Sequence, residues 1–352
     1  MTSSLARIKS AVLRGTFALP HPVRRFIAGR PIRKDDQEMA LEAQLLLRFM
    51  RLDGKDELWA GSVAASRASL EEAARMMDVH PAQPVATSDL TIPGPAADIP
   101  ARLYTPDSLP PGSPLLVFYH GGGWVIGSLD THDNLCRFLA LNGRVRVLSV
   151  DYRLAPEHPF PAGVDDAFAA FDYAVRSARS LDADPNAVAV GGDSAGANLA
   201  AVVSAAADRH PAFALLLYPR VDFTARRRSQ ELFAQGFLLT EKSMDRMESL
   251  YLQPAQKTDR NASVLLTADL SAFPPTYLCT AGFDPLRDEG EEFAAKLAAA
   301  GVPVVYRRHG DLIHGYASLW PAGGRFAEAA AEAAAALHAG LHTAESLRSR
   351  KG

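Results

Sequence analysis

The sequence predicts an α/β fold, a mostly parallel sheet flanked by helices on both faces and topped by a helical cap. Three observations carry this reading. Residues 36–79 show helical periodicity and hold no convincing strand. From Pro84 onward, short β-rich runs alternate with helical stretches. The interval 221–253 breaks that alternation: it offers no strand, but Met244, Met247, Leu250 and Tyr251 are spaced as on a helix.

The elements follow in chain order. Ahead of the first acid, Asp35, stand eight basic residues: Arg7, Lys9, Arg14, Arg24, Arg25, Arg30, Arg33 and Lys34. Leu5, Ile8, Val12 and Leu13 share one helical face there, which suits a segment packed on the rest of the protein and also permits a helix lying on a membrane. No continuous apolar stretch marks a secretory signal, so a cytoplasmic location is expected, with the basic N-terminus as a peripheral membrane contact. The runs "QEMALEAQLLLRFMRL" and "SLEEAARMMDV" form the helical preface. Eight candidate strands lie at 85–92, 99–104, 115–118, 146–150, 188–190, 213–218, 276–280 and 304–308. Helices at 164–178, 195–207 and 289–300 separate the later strands, and an Ala-rich helix over 326–337 closes the chain. Sheets of this kind bind ligands beyond the carboxyl ends of their strands. The helix within 221–253 is an insertion placed to join the N-terminal helices as a lid at that end.

Composition narrows the functional classes. The 352 residues can enclose one sizeable core and a buried site. A net charge of −3, from 37 basic and 40 acidic residues, argues against nucleic acid, whose partners normally carry a basic excess. Cys136 and Cys279 are too few for a disulfide framework or a four-ligand zinc site and read as small buried apolar residues. No apolar run approaches 18 residues, so no helix is expected to span a membrane. His338 and His342 have the spacing of metal ligands but no third ligand nearby, and read as surface residues.

The chemistry concentrates at "VAVGGDSAGANLA", residues 188–200, where a strand runs into Gly192-Asp193-Ser194-Ala195-Gly196 and then a helix. A Gly-x-Ser-x-Gly at a sharp strand-to-helix turn holds its serine strained and exposed, in front of the positive end of the helix. Serine alone is a poor nucleophile; it needs a histidine base, and the histidine needs an acid to fix its tautomer. In α/β hydrolases, which carry their serine on such a turn, the chain order is serine, acid, histidine. That order leaves His309, His314, His338 and His342 of the ten histidines. His309 abuts the expected strand end at 308, whereas His314, in "GDLIHGY", has loop on both sides, so His314 is the better base. For the acid, Asp284 stands closer to a strand tip than Asp288, which reads as a helix-end charge. Asp193 is expected to line the pocket or brace a loop. Acyl transfer through Ser194 would place negative charge on the former carbonyl oxygen, and "HGGGW", residues 120–124, can offer it bare backbone N–H groups. Gly122 and Gly123, with Ala195, are the expected donors, and Gly121 in place of Gly123 stays open. Trp124 and Phe237 are expected to bind substrate, and Leu238 and Tyr316 also suit an apolar pocket wall.

Together these pieces resemble the hormone-sensitive-lipase-like carboxylesterases of the α/β-hydrolase superfamily. The matching stretches are "HGGGW", "DYRLAPEHPFPA" (residues 151–162), "GDSAG" (192–196), "YPRVD" (218–222), "DPLRDEG" (284–290) and "HGY" (314–316), in family order over roughly 85–320. The resemblance implies an eight-stranded hydrolase sheet and a cap made of the N-terminal helices plus the insertion. It implies a triad of Ser194, Asp284 and His314, an oxyanion hole at Gly122, Gly123 and Ala195, and hydrolysis of short- to medium-chain acyl esters without metal or organic cofactor. The chain then divides into an N-terminal cap segment (1–84), a catalytic domain (85–342) with a cap insertion at about 221–253, and a tail (343–352). The alternatives are lactone or amide hydrolysis, acyl transfer, or a non-catalytic ligand receptor on the same scaffold. A homodimer is compatible with the sequence.

Overall fold

The computed structural model describes residues 11–13, 15–54, 57–77 and 84–349, with side chains to residue 341. The expected helical face of Leu5 and Ile8, and the side chain of His342, lie outside these residues. An eight-stranded sheet forms the centre, with strands β1 (Val85–Ile92), β2 (Ile99–Pro106), β3 (Ser113–Tyr119), β4 (Arg146–Val150), β5 (Ala183–Asp193), β6 (Ala214–Leu217), β7 (Thr276–Phe283) and β8 (Val304–Ile313). Their spatial order is β8-β7-β6-β5-β3-β4-β2-β1. Pairing is antiparallel at β1–β2 and β2–β4, and parallel elsewhere.

Helices cover both faces because the central strands are apolar on both sides. Leu115, Val117 and Tyr119 of β3 join one core layer with α5 (Ala162–Ser177), α6 (Ala195–Ala206) and α9 (Arg287–Ala299). Leu116 and Phe118 join the other, with α4 (Asp133–Gly143) and α10 (Gly324–Ser349). Every residue of β4 and of β7 is buried. Burying one such aliphatic side chain contributes about 1.5–3 kcal/mol, which fixes the register of both faces at once.

That register delivers the site. Tyr119 of β3 pairs with Gly192 of β5, so the glycine loop and the serine turn leave the sheet side by side. Phe283 of β7 pairs with Ile313 of β8, so Asp284 and His314 also emerge together. Two expectations change here. Strand β8 runs on through an irregularity between His309 and Ile313, so His314 follows the strand directly instead of sitting mid-loop. A two-residue hairpin, Arg33–Lys34 with Gln37–Glu38, occupies the start of the stretch expected to be helical, whose helix begins only at Leu41; the hairpin is too short to show periodicity, and Gln37 Nε2 docks it on Gly282 O at 3.3 Å.

Before the sheet come α1 (His21–Ala28), α2 (Leu41–Leu52) and α3 (Val63–Met76), and after β6 come the short α7 (Arg228–Leu232) and α8 (Glu241–Tyr251). Ser62 and Thr240 cap α3 and α8 through their hydroxyls, which accept from Ala65 N and Ser243 N. No described helix is long and apolar enough to cross a membrane.

Candidate active site

Ser194 occupies the bend between β5 and α6 at φ 55°, ψ −116°. This backbone region is costly for a residue with a side chain, and the surroundings impose it: Ser194 N donates to Leu217 O at 2.9 Å, and Asn198 N to Ser194 O at 3.1 Å. The approach is too close for anything but glycine at 196, where a Cβ would stand 1.9 Å from Tyr119 O. The hydroxyl remains half-buried and faces a cavity.

His314 Nε2 lies 2.9 Å from Ser194 Oγ, and His314 Nδ1 lies 2.7 Å from Asp284 Oδ2. The second oxygen of Asp284 accepts from Leu286 N at 2.8 Å, so the wholly buried carboxylate is fixed in place. A tautomer that donates Nδ1–H to Asp284 leaves the Nε2 lone pair for the serine proton. Asp288 instead accepts from Ser229 N and pairs with Arg287, and His309 is buried edge-on against the Tyr316 ring.

The loop after β3 is shaped by its glycines. Gly122 and Gly123 have φ 120° and 60°, and a Cβ at these positions would meet Ile126 O at 2.1 Å and Met247 Sδ at 2.3 Å. Gly121 N donates to Asp193 Oδ1 at 2.8 Å. That amide is therefore engaged, while among the described residues no acceptor takes the N–H of Gly122, Gly123 or Ala195. Asp193 thus braces the loop. His132 Nε2 approaches the same carboxylate oxygen at 3.2 Å, and its Nδ1 stands 2.9 Å from Thr131 Oγ1. Burial works to raise the Asp193 carboxyl, but the charge and hydrogen bond of His132, the Gly121 N–H and the charge of His314 hold it below the usual carboxylate range. His120 is wholly buried, stacks on Tyr152 at 4.4 Å and donates Nδ1–H to Gly121 O at 2.8 Å. Burial, assisted by nearby His132, pushes its pKa down to about 3, so it is a neutral brace for the loop.

The cavity in front of Ser194 measures about 230 Å³. Helices α2, α3 and α8 all contribute to its wall, and Met50, Met76, Met77, Met244 and Met247 line it, five of the chain's seven methionines. Trp124 lines it too, stacked on Tyr251 at 4.4 Å and 2°. Phe237, expected at this wall, sits elsewhere. It packs with Phe233 and Phe283 at 5.4 and 5.6 Å under Lys34, because the chain reverses through Leu238 at φ 74° and presents Leu238 to the cavity in its place. Tyr316 is also core, donating its hydroxyl to Cys279 Sγ.

Two contributors escaped the sequence reading. His132 precedes Ser194 and was set aside by chain order, and only its position in "DTHDN", shortly after the glycine loop, hinted at it. Arg67 of α3 reaches across to Val125 O at 2.9 Å, Ala155 O at 3.1 Å and both oxygens of Glu157, tying α3 to the back of the glycine loop. At the cavity wall, Arg220 joins Glu248 of α8 at 3.1 Å to the buried Glu289 of α9 at 3.3 Å. Burial pushes Glu289 up to about 7, opposed by Arg220 and the Val221 N–H.

Residues 116–318 match the family model described as the alpha/beta hydrolase fold. The chain is 46% identical to the carboxylic ester hydrolase LipN of Mycobacterium tuberculosis, over 92% of this chain and 89% of that protein. It is 40% identical to the carboxylesterase NlhH of the same species, over 70% of this chain and 79% of that one. Among solved structures, an ester hydrolase from the metagenome of Lake Arreo, complexed with a bipyridine phosphonate derivative, superposes with a TM-score of 0.81 at 38% identity, covering 86% of this chain and 98% of its own.

Proposed function

The chain belongs to the hormone-sensitive-lipase-like family of the α/β-hydrolase fold and is a carboxylic ester hydrolase, and from that premise we propose that it cleaves short- to medium-chain acyl esters through an acyl-enzyme on Ser194. The observation that carries this reading is the run of contacts from Asp284 through His314 to Ser194, at 2.7 and 2.9 Å. His314 Nε2 takes the proton of Ser194 Oγ as the oxygen attacks the ester carbonyl carbon, and the carbonyl π pair moves onto its oxygen. The N–H groups of Gly122, Gly123 and Ala195, uncommitted among the described residues, receive that oxyanion. Collapse expels the alcohol, which leaves with the proton from His314. Water then gives a proton to His314 as it attacks the acyl-serine carbonyl, and collapse breaks the acyl–Oγ bond, releasing the acid while Ser194 Oγ takes the proton back from His314; Asp284 holds the imidazole throughout.

Residues 1–84 and the insertion at about 221–253 act as one cap, in keeping with the walls that α2, α3 and α8 contribute to the cavity. A capped apolar cavity suits acyl chains of about four to eight carbons better than a lipid aggregate. Two measurements test the proposal. Wild-type protein is expected to hydrolyse p-nitrophenyl butyrate and to be labelled by a fluorophosphonate, and Ser194→Ala to do neither. Undiminished turnover in Ser194→Ala would refute the nucleophile, and a wild-type protein that resists labelling would point to a ligand receptor. Preference for emulsified long-chain triglyceride over soluble esters would contradict the chain-length reading.

A further inference from the structure

Helix α1 is amphipathic in the reverse sense for a helix on the surface of a water-soluble domain. Its arginines turn toward the protein: Arg24 Nη1 meets Glu42 Oε1 at 2.9 Å, and Arg25 Nη2 donates to Gly29 O at 2.7 Å and Gln44 Oε1 at 2.8 Å. Ile27 and Ala28 pack inward on Leu41 and Leu45, but the other apolar side chains turn outward: Phe26 is 88% exposed and Val23 42%, with Leu19 at 36% just before the helix. Four of the eight large hydrophobic residues exposed among the described residues fall between Val12 and Phe26, which sets this face apart from scattered surface apolars.

Charge identifies the occupant. Residues 1–34 contain eight Lys and Arg and no acid, and Arg30, exposed four residues beyond Phe26, has no ion-pair partner among the described residues. A second copy of the chain would bring the same positive charge against itself. Among the described residues, Arg24 and Arg33 pair with Glu42 and Glu38, which leaves Arg30 as the exposed cation beside the strip, and an apolar strip with a free cation at its border complements a surface that is apolar within and negative at its rim. We propose that this face docks the protein on an anionic phospholipid membrane, with Phe26, Val23 and Leu19 entering the headgroup region and Arg30 meeting lipid phosphates. The preceding helical residues carry Leu13, which lines the active-site cavity beside the outward-facing Val12. Docking therefore holds a wall of the cavity at the lipid surface, where apolar esters partition.

Sedimentation of the full-length protein with vesicles tests this independently of ester hydrolysis. Binding is expected to vesicles of phosphatidylcholine containing about a third phosphatidylglycerol, weakened by salt, and little to phosphatidylcholine alone. Phe26→Asp should lower the bound fraction roughly tenfold, and Arg30→Glu should weaken binding to the anionic vesicles by at least about fivefold. Both variants should hydrolyse a soluble short-chain ester at the wild-type rate, which also shows that they fold. Failure of the wild type to bind either vesicle, or binding that survives both substitutions, overturns the proposal. So does a dimer by light scattering that Phe26→Asp converts to monomer, which would assign the face to a second copy.

Discussion

The N–H of Gly121 is spent on Asp193: it donates to Oδ1 at 2.8 Å, and His132 Nε2 meets the same oxygen at 3.2 Å. The bond anchors the loop beside Gly122 and Gly123, which line the cavity and are the proposed oxyanion donors. Asp193→Ala should therefore act on the reaction more than on binding, lowering kcat by roughly 10²-fold while KM changes by no more than about twofold. Asp193→Asn keeps an accepting oxygen and should retain most of the activity. Steady-state kinetics on p-nitrophenyl butyrate decide this; a loss confined to KM would place the pair in substrate binding.

Met247 sets how much room lies beside the reacting carbonyl, since its Sδ packs where a Cβ on Gly123 would be. Met247→Ala removes three side-chain atoms from a buried site. The preferred acyl chain should lengthen by about two to three carbons, at a cost of about 2–5 kcal/mol in stability. A p-nitrophenyl ester series and a denaturant titration read the two effects, and an unchanged optimum would put Met247 outside the substrate path.

Arg67 links α3 to the core through two carbonyls and a carboxylate. Arg67→Ala should raise KM several-fold and lower Tm by about 2–4 °C, with kcat less affected. Lysine, lacking the planar fork, should not restore the wild-type values. Michaelis constants and calorimetry of the two variants check this.

Glu289 links stability to pH. Its folded pKa of about 7 lies above the usual glutamate value of 4.5 because it is buried. A carboxyl raised on folding favours the folded state below the unfolded value and loses that contribution as pH rises through the folded one. The structure should thus lose on the order of 3 kcal/mol of this contribution between about pH 4.5 and 7. Urea titrations across that range should show a steeper fall for wild type than for Glu289→Gln, and parallel curves would refute the assignment.

What the sequence revealed and what it concealed divide along the range of the interactions. The serine turn and the glycine loop are local, so spacing alone located them. The strand cores at 146–150 and 85–92 were legible because apolar residues fill or bound them. Strand β5 extends beyond 188–190 because Asp184, Pro185 and Asn186 carry no strand pattern and fall in the irregularity between the Ala183 and Val188 pairings with β3, which only tertiary context creates. Edge strand β8 was cut short because it is largely exposed and lacks an apolar pattern. Phe237 and Leu238 were equally plausible wall residues until the backbone reversal at Leu238 chose between them. The contacts of His132 and Arg67 cross between elements far apart in the chain, and no local pattern encodes them.

The left-handed bend at Ser194 keeps the proposed nucleophile in a conformation that suits a residue with a side chain poorly. At φ 55° and ψ −116° a serine forgoes about 1–3 kcal/mol that a glycine would recover. The strand and helix on either side supply that energy, so the rigidity of the scaffold is a direct requirement of a hydroxyl held ready to react, and a more relaxed molecule would be a poorer one.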